Sequence, residues 1–302
     1  MNRLSKRVLE INLFYLLAAV LLLVLGTIVQ EKNLISGLLI TEWLLILLPS
    51  LIFMKVCKIP LSKIRIRPIK VKDGFLVVLI TIFFYPIVLF MNVSFLFFLR
   101  IFIDFDFNSM PVPNNFNQYL VYIPVMALSA GICEEFLFRG LIMSQFRMFG
   151  RKNAIVISAV LFGIFHFNYQ NFIGPVVLGV IFGYLVYKTG SLLAAVIGHI
   201  TNNMVSLTLA YISVMMASDT NIETTINATD LIGSVIFIGI IALLCIYLVK
   251  FLINNIGENP TSTEVCADCV FISETGVLPW IPVIAVTGGY LVINILVITI
   301  SF

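Results

Sequence analysis

Charged residues are scarce in this chain. Asp, Glu, Lys and Arg together make up 11% of its 302 residues, whereas soluble domains carry about 25%. Hydrophobic residues make up 61%, against about 45–50% in soluble domains, and a water-soluble core could not bury that much apolar surface. The composition therefore argues against a soluble globular protein and predicts an all-α, polytopic membrane protein.

Residue types that often carry chemistry are also few. The five cysteines do not have the spacing of a disulfide framework, and Cys266 and Cys269 lack the second pair or the histidine that a metal site needs. The only histidines are His166 and His199. The sequence has no H-E-x-x-H zinc helix, and no aspartate lies within a predicted span. A serine–histidine dyad has no clear serine partner, so three familiar kinds of hydrolytic site are not expected.

Hydrophobic runs recur along the whole chain. A helix needs about 20 residues to cross about 30 Å of hydrocarbon. This rule predicts a bundle of eight or nine transmembrane helices, because two of the candidate runs, 153–168 and 172–188, are short and one of them can be a partial span. The other candidate runs are 9–29, 34–56, 74–102, 118–148, 191–216, 231–253 and 278–301.

The basic residues predict the orientation. With the N-terminus in the cytoplasm, every Lys and Arg lies on the cytoplasmic side except Lys32, Arg100 and Arg139, as the positive-inside rule requires. We therefore predict an integral protein of the plasma membrane with a cytoplasmic N-terminus. The basic loop 55–72 is expected to fix this topology and to contact anionic lipid headgroups. Nucleic-acid binding is not expected for a loop that lies against a membrane.

The fourth candidate helix contains three charged residues in "GICEEFLFRG". Each charge at membrane depth costs at least about 2.5–3.5 kcal/mol on insertion scales, so such residues usually face the bundle interior and mark function. Glu135 and Arg139 are four residues apart and can pair on one helix face, whereas Glu134 is rotated from Glu135 by about 100°. One glutamate can thus be neutralised by Arg139 while the other points into a cavity.

Two further helices contribute the histidines. Phe162 and His166 in "FGIFH" are four residues apart, so an aromatic ring lies on the same helix face as a base. His199 and Asn203 in "HITNN" have the same spacing and present an imidazole and an amide on one face. A Glu–Arg pair alone could be a structural clasp, and a lone membrane histidine is often only an interhelical hydrogen-bond partner. Polar residues of these types on three separate helices favour a functional site.

Together, the motifs "EEFLFR", "FGIFH" and "HITNN" resemble the pattern of the CPBP family of intramembrane proteases, which includes the type II CAAX prenyl endopeptidases and the Abi bacteriocin-immunity proteins. The resemblance divides the chain into N-terminal transmembrane helices and a basic loop (1–117), a catalytic core (118–216) and C-terminal transmembrane helices (217–302). It implies an enzyme that hydrolyses a peptide bond in a membrane-associated peptide or lipidated, for example prenylated, protein.

The resemblance also implies roles for individual residues. Glu134 with His166 would activate the attacking water, and His199 with Asn203 would stabilise the tetrahedral oxyanion or contribute to a metal site. Glu135 and Arg139 would form a supporting pair beside Phe162. Hydrolysis independently needs a base for water and donors for the developing oxyanion, and these residue types can supply both.

Whether a metal takes part is left open by the sequence. Glu134, His166 and His199 would make a three-ligand catalytic zinc set with one position for water. A ligating Glu134, however, would be less available as the base. The sequence therefore does not separate a zinc metalloprotease from a metal-free glutamate protease.

Two non-proteolytic functions are the alternatives. A proton-coupled transporter also uses relays of Glu, His and Arg, although the paired broken helices or repeat halves of a typical transporter are not evident. An immunity or regulatory membrane protein of the Abi type would bind a peptide without cleaving it. The retention of every motif residue favours the enzyme.

Overall fold

A computed structural model describes residues 2–102, 111–218, 228–257 and 271–300, so Cys266 and Cys269 lie outside the described residues. Within these ranges the chain is a bundle of helices without a β-strand, and eight helices are long and apolar enough to cross a membrane. The predicted all-α polytopic bundle is thereby confirmed. The helices are α1 (Arg3–Lys32), α2 (Leu34–Val56), α3 (Val71–Arg100), α4 (Phe116–Phe149), α5 (Arg151–Phe165), α6 (Tyr169–Thr189), α7 (Leu193–Met216), α8 (Gly233–Asn254) and α9 (Leu278–Thr299).

Helix α5 is the partial span. Its 15 residues rise about 22 Å, which is less than the roughly 30 Å of hydrocarbon that a spanning helix must cross. The chain enters α5 through Gly150, whose φ of 87° lies in the left-handed region that glycine adopts without a Cβ clash. Because α5 is short, His166, the residue that follows its last turn, lies at the cavity inside the bundle rather than at the far surface.

Asparagine side chains begin three of the long helices. The first N–H groups of a helix have no intrahelical partner, and an Asn side chain at the N-cap accepts a hydrogen bond from one of them. The accepting oxygens belong to Asn2, Asn33 and Asn115, which lie 2.7, 3.0 and 3.0 Å from the backbone nitrogens of Ser5, Ser36 and Gln118. These polar caps separate the apolar runs, whose outward side chains face lipid.

Helix α4 occupies the interior of the bundle. Its Phe138 is fully buried and packs edge-on against Phe165 of α5 and Tyr15 of α1, with ring centroids 5.3 and 6.5 Å apart. Two π-helical turns, Ile123–Ser129 and Phe136–Ile142, flank the short α-helical stretch Ala130–Glu135. Such π turns occur frequently at functional sites, and here they bracket the two glutamates.

Candidate active site

The motif residues meet at a cavity of about 460 Å³ inside the bundle. Helices α2 to α7 contribute to its wall, which is largely apolar. Five of the residues that the sequence predicts for the site line the cavity, and the other two lie directly behind it. The lining residues are Glu134, Phe162, His166, His199 and Asn203, and those behind are Glu135 and Arg139.

Glu135 is the centre of a buried charged group. Its Oε1 atom lies 2.8 Å from Nη1 of Arg139 and 2.8 Å from Nδ1 of His199. Glu135 and Arg139 are almost completely inaccessible, at 0% and 1% exposure. An ionised carboxylate can only accept hydrogen bonds, so both nitrogens donate, and the proton of a neutral His199 is fixed on Nδ1.

Glu134 lies on the other side of the same imidazole. Its Oε2 atom is 3.8 Å from Nε2 of His199, which is longer than a hydrogen bond and leaves the two atoms close enough to contact one shared water. The Glu134 side chain retains 15% exposure towards the cavity. The two adjacent glutamates therefore lie beside different ring nitrogens of the same histidine, Glu135 at Nδ1 and Glu134 near Nε2.

His166 contributes a second imidazole ring, besides that of His199, to the wall of the cavity. Its Nδ1 atom lies 2.9 Å from the backbone oxygen of Phe162, and since a carbonyl only accepts, Nδ1 again carries the proton. The Phe162 ring lies edge-on to the rings of His166 and His199, with centroid distances of 4.9 and 5.9 Å. Its face also lies 4.3 Å from the Arg139 guanidinium carbon, a cation–π contact. Phe162 thus holds both histidines and the arginine in place.

Asn203 is held by helix α4. Its Nδ2 atom donates to the backbone oxygen of Met126 at 3.1 Å, in the first π-helical turn, and its Oδ1 atom accepts from Nδ2 of Asn202 at 3.2 Å. With the oxygen fixed as an acceptor, the second N–H of Asn203 is left for another acceptor. Asn202 also lines the cavity; the sequence pattern did not single it out, although its position beside Asn203 in "HITNN" was the available signal.

Gly179 on α6 makes room for the buried arginine. A Cβ atom there would lie 2.7 Å from Cβ of Ala159 and 2.9 Å from Nη2 of Arg139, closer than real Cβ atoms approach. Only glycine lets α6 pack this closely against α5 and the guanidinium.

Glu42 of α2 is another acidic residue of the cavity wall. It is 7% exposed, and its Oε2 atom has no hydrogen-bond partner among the described residues. An acidic residue in an apolar span was visible in the sequence, but it belongs to none of the three motifs, and only the packing of α2 against α4 brings it to this cavity.

The donor atoms at the cavity meet one requirement of a zinc site and fail another. Zinc-binding histidines usually donate their second ring N–H to a carboxylate or a backbone carbonyl, as His199 and His166 do to Glu135 and Phe162. In residues 2–102, 111–218, 228–257 and 271–300, however, no group of three or more His, Cys, Asp or Glu is placed to hold a metal ion. The chemistry of the donors suits zinc, whereas their arrangement does not fit a three-ligand site with Glu134.

Comparison with known proteins identifies the segment that contains this site. Residues 116–205 match the family model described as "Rce1-like: Type II CAAX prenyl endopeptidase Rce1-like". No curated protein and no solved structure gave a match to the chain. The matched segment includes Glu134, His166, His199 and Asn203. The segment that holds the candidate site is therefore similar to the Rce1-like family, which supports a CAAX-type intramembrane protease at the level of the family.

Proposed function

We propose that this protein is an intramembrane endopeptidase that uses Glu134 to activate water against a peptide bond. One observation carries the proposal: Glu134 Oε2 faces Nε2 of His199 across 3.8 Å at the wall of a cavity inside the bundle. Glu135 is hydrogen-bonded to the other ring nitrogen of His199, Nδ1, so it is not available as the base. The family of residues 116–205 supports the same reaction class.

The first step is attack by water on the substrate carbonyl. A water held between Glu134 and His199 loses a proton to this pair while its oxygen bonds to the carbonyl carbon, and the carbonyl oxygen becomes an oxyanion. General-base catalysis of this kind contributes typically about 10²–10⁴-fold. His166, whose Nε2 atom is not used in its bond to Phe162, is a further acceptor at the same cavity and can share in holding the water.

The second step is cleavage of the carbon–nitrogen bond. The proton taken from water passes to the leaving nitrogen, and the products are a new carboxylic acid and a new amine, which ionise in water to a carboxylate and an ammonium group. The free N–H of Asn203 is suited to donate to the oxyanion. His199 can donate from Nε2 only while it is an imidazolium, because its Nδ1 proton is committed to Glu135. His199 therefore acts as an oxyanion donor only after it has taken up the proton.

The substrate class follows from where the cavity lies. A cavity within the bundle, with many apolar residues in its wall, favours a peptide that is already held in the membrane. We propose a membrane-associated peptide or a protein with a prenylated C-terminus as the substrate, in line with the name of the matched family. We also propose that the protein lies in the plasma membrane with its N-terminus in the cytoplasm. In that orientation the basic ends of α1, α2 and α4 lie on the cytoplasmic side.

The test compares membrane-associated peptides from cells that express the wild type or Glu134→Gln at matched levels. The substitution keeps the shape of the side chain and removes the base, so defined fragments are expected to disappear. Glu31→Gln is the matched control, because Glu31 is exposed at the end of α1 and this variant should retain the fragments. The same peptides from the wild type and Glu134→Gln would contradict the proposal and favour binding without cleavage, or transport.

A further inference from the structure

A second cavity lies at the end of the bundle where α1 begins and α2 ends. Its volume is about 390 Å³, and it shares no lining residue with the cavity of the candidate active site. Its wall is formed by the first turns of α1, the end of α2 with the loop that follows, and Gln145 near the end of α4. Five cationic side chains and a single carboxylate, that of Glu10, line it; the cations are Arg3, Lys6, Arg7, Lys58 and Lys63.

The positive charge in this cavity is not balanced. Among the described residues, none of the five cations forms an ion pair. Nη2 of Arg7 and Nζ of Lys63 instead approach the same neutral oxygen, Oε1 of Gln145, at 3.5 and 3.2 Å. Two cations directed at one amide oxygen repel each other, and an anion between them would relieve that repulsion.

The ionisation of Lys63 agrees with this geometry. Partial burial, together with the positive charges of Arg7 and Arg147, lowers the pKa of Lys63 to about 8. Burial is the larger cause and disfavours any unpaired charge, whereas the repulsion from Arg7 and Arg147 reflects the excess of positive charge around this amine. The five cations of the lining, and the convergence of two of them on Gln145, are what suit the cavity to an anion.

The remaining lining residues restrict the kind of anion. Ile11, Phe53 and Ile59 give the same cavity an apolar wall. The cavity is formed at the start of α1 and the end of α2, which are ends of candidate membrane spans, and phospholipid headgroups are found at the level where spans end. A ligand with a phosphate group and an attached hydrocarbon would contact both kinds of wall.

We propose that this pocket binds a phosphate group, supplied by an anionic phospholipid whose acyl chain lies along the apolar wall. The phosphate would sit between Arg7 and Lys63, with Lys6, Arg3 and Lys58 around it. Because Gln145 belongs to α4, which also carries Glu134, such a ligand would tie α1 and the loop after α2 to the catalytic helix.

The test uses the full-length protein purified in detergent. Phosphatidylglycerol and phosphatidylcholine are titrated separately, and retained lipid is counted by native mass spectrometry. Arg7→Gln/Lys63→Gln removes two charges from the pocket, whereas the matched control Arg67→Gln/Lys72→Gln removes two exposed charges outside its lining. We expect the pocket variant to bind phosphatidylglycerol about tenfold more weakly than the wild type, and the control to bind like the wild type.

A soluble phosphate is distinguished by competition. If millimolar inorganic phosphate displaces phosphatidylglycerol from the wild type but not from the pocket variant, the pocket takes the phosphate group itself and accepts it from solution as well. The single variant Lys6→Gln, at an exposed position, repeats the test if the double variant does not fold, and it should bind about two- to fivefold more weakly. Equal binding of phosphatidylglycerol by the wild type and both pocket variants would overturn the proposal.

Discussion

Nδ1 of His199 lies 2.8 Å from Oε1 of Glu135, the same oxygen that accepts from Arg139. This relationship places the two adjacent glutamates in different environments. Glu135 is bonded to Arg139 and to the imidazole, so we propose it as a positioning residue. Glu134 makes no such bond and keeps access to the cavity, which suits the role of base that we propose for it.

Glu135→Gln should lower both stability and activity. Removing one partner of a buried ion pair typically costs about 3–5 kcal/mol, and Arg139 would keep an uncompensated buried charge. The free energy of unfolding and the turnover number of the purified protein measure the two effects. A glutamine can also donate to Nδ1, so the fixed tautomer of His199 is lost.

The double variant Glu135→Leu/Arg139→Met separates the structural role from the positioning role. Replacing a buried ion pair with apolar residues is often neutral or stabilising, so stability should recover while turnover stays low, because nothing orients His199. Recovery of turnover together with stability would mean that Glu135 serves only to hold the fold.

Asn203→Ala should lower the turnover number with little change in KM. Losing one oxyanion donor typically costs about 10²–10³ in turnover, since that hydrogen bond strengthens only as the oxyanion forms. Steady-state cleavage of a farnesylated peptide in proteoliposomes measures both constants. Asn255→Ala is the control, because Asn255 is exposed just beyond α8; an equal effect of the two variants would contradict the assignment.

Gly179→Ala should destabilise the protein by about 1–3 kcal/mol, the usual cost of overpacking. The added methyl group would collide with Ala159 and with the Arg139 guanidinium, so turnover should fall as well. Gly288→Ala on α9 is the matched control, since nothing lies within 4 Å of a Cβ there. Thermal unfolding that is the same for the two variants would show that the close contact of α6 is not required.

Binding of phosphatidylglycerol should weaken as the pH rises above 8. The pKa of Lys63 is lowered from 10.5 to about 8, so the amine is charged at pH 7 and loses its charge above pH 8, while a bound anion favours the charged form. The loss of one such contact is worth about two- to fivefold in affinity. Arg7 of α1 and Arg147 at the end of α4 act on the Lys63 amine, which also bonds to Gln145 of α4. The other charged or titratable groups that line the same cavity are Arg3, Lys6, Glu10, Cys57 and Lys58.

The variant Lys63→Gln provides the comparison for this pH dependence. Without the titrating amine, its affinity for phosphatidylglycerol should stay nearly constant between pH 7 and 9. A wild-type affinity that is independent of pH over the same range would contradict the part assigned to Lys63. Lipid titrations at pH 7, 8 and 9 decide between these results.

Relations within one helix could be predicted from the sequence, because helical geometry fixes which residues share a face. The pairing of Glu135 with Arg139 follows from their spacing, and the partial span follows from a run that is too short. Relations between helices could not be predicted in this way. That His199 rather than His166 lies next to Glu134 depends on how α7 and α4 are rotated against each other, which the spacing within each helix does not determine.

The same limit explains the residues that sequence motifs did not indicate. Glu42 reaches the cavity through the packing of α2, and Asn202 takes part because α7 turns its amide towards Asn203. The bond from Asn203 to Met126 requires a carbonyl oxygen in a π-helical turn of α4. Local propensity does not predict such turns, since they arise from tertiary packing.

Cleavage of a farnesylated peptide in H₂¹⁸O by purified wild type and Glu134→Gln, each dialysed against a chelator, tests the central claim most directly. We expect the wild type to cleave one peptide bond and to place one ¹⁸O atom in the new carboxyl group, and we expect Glu134→Gln to be slower by at least about 10². Cleavage by Glu134→Gln at the wild-type rate would contradict that claim.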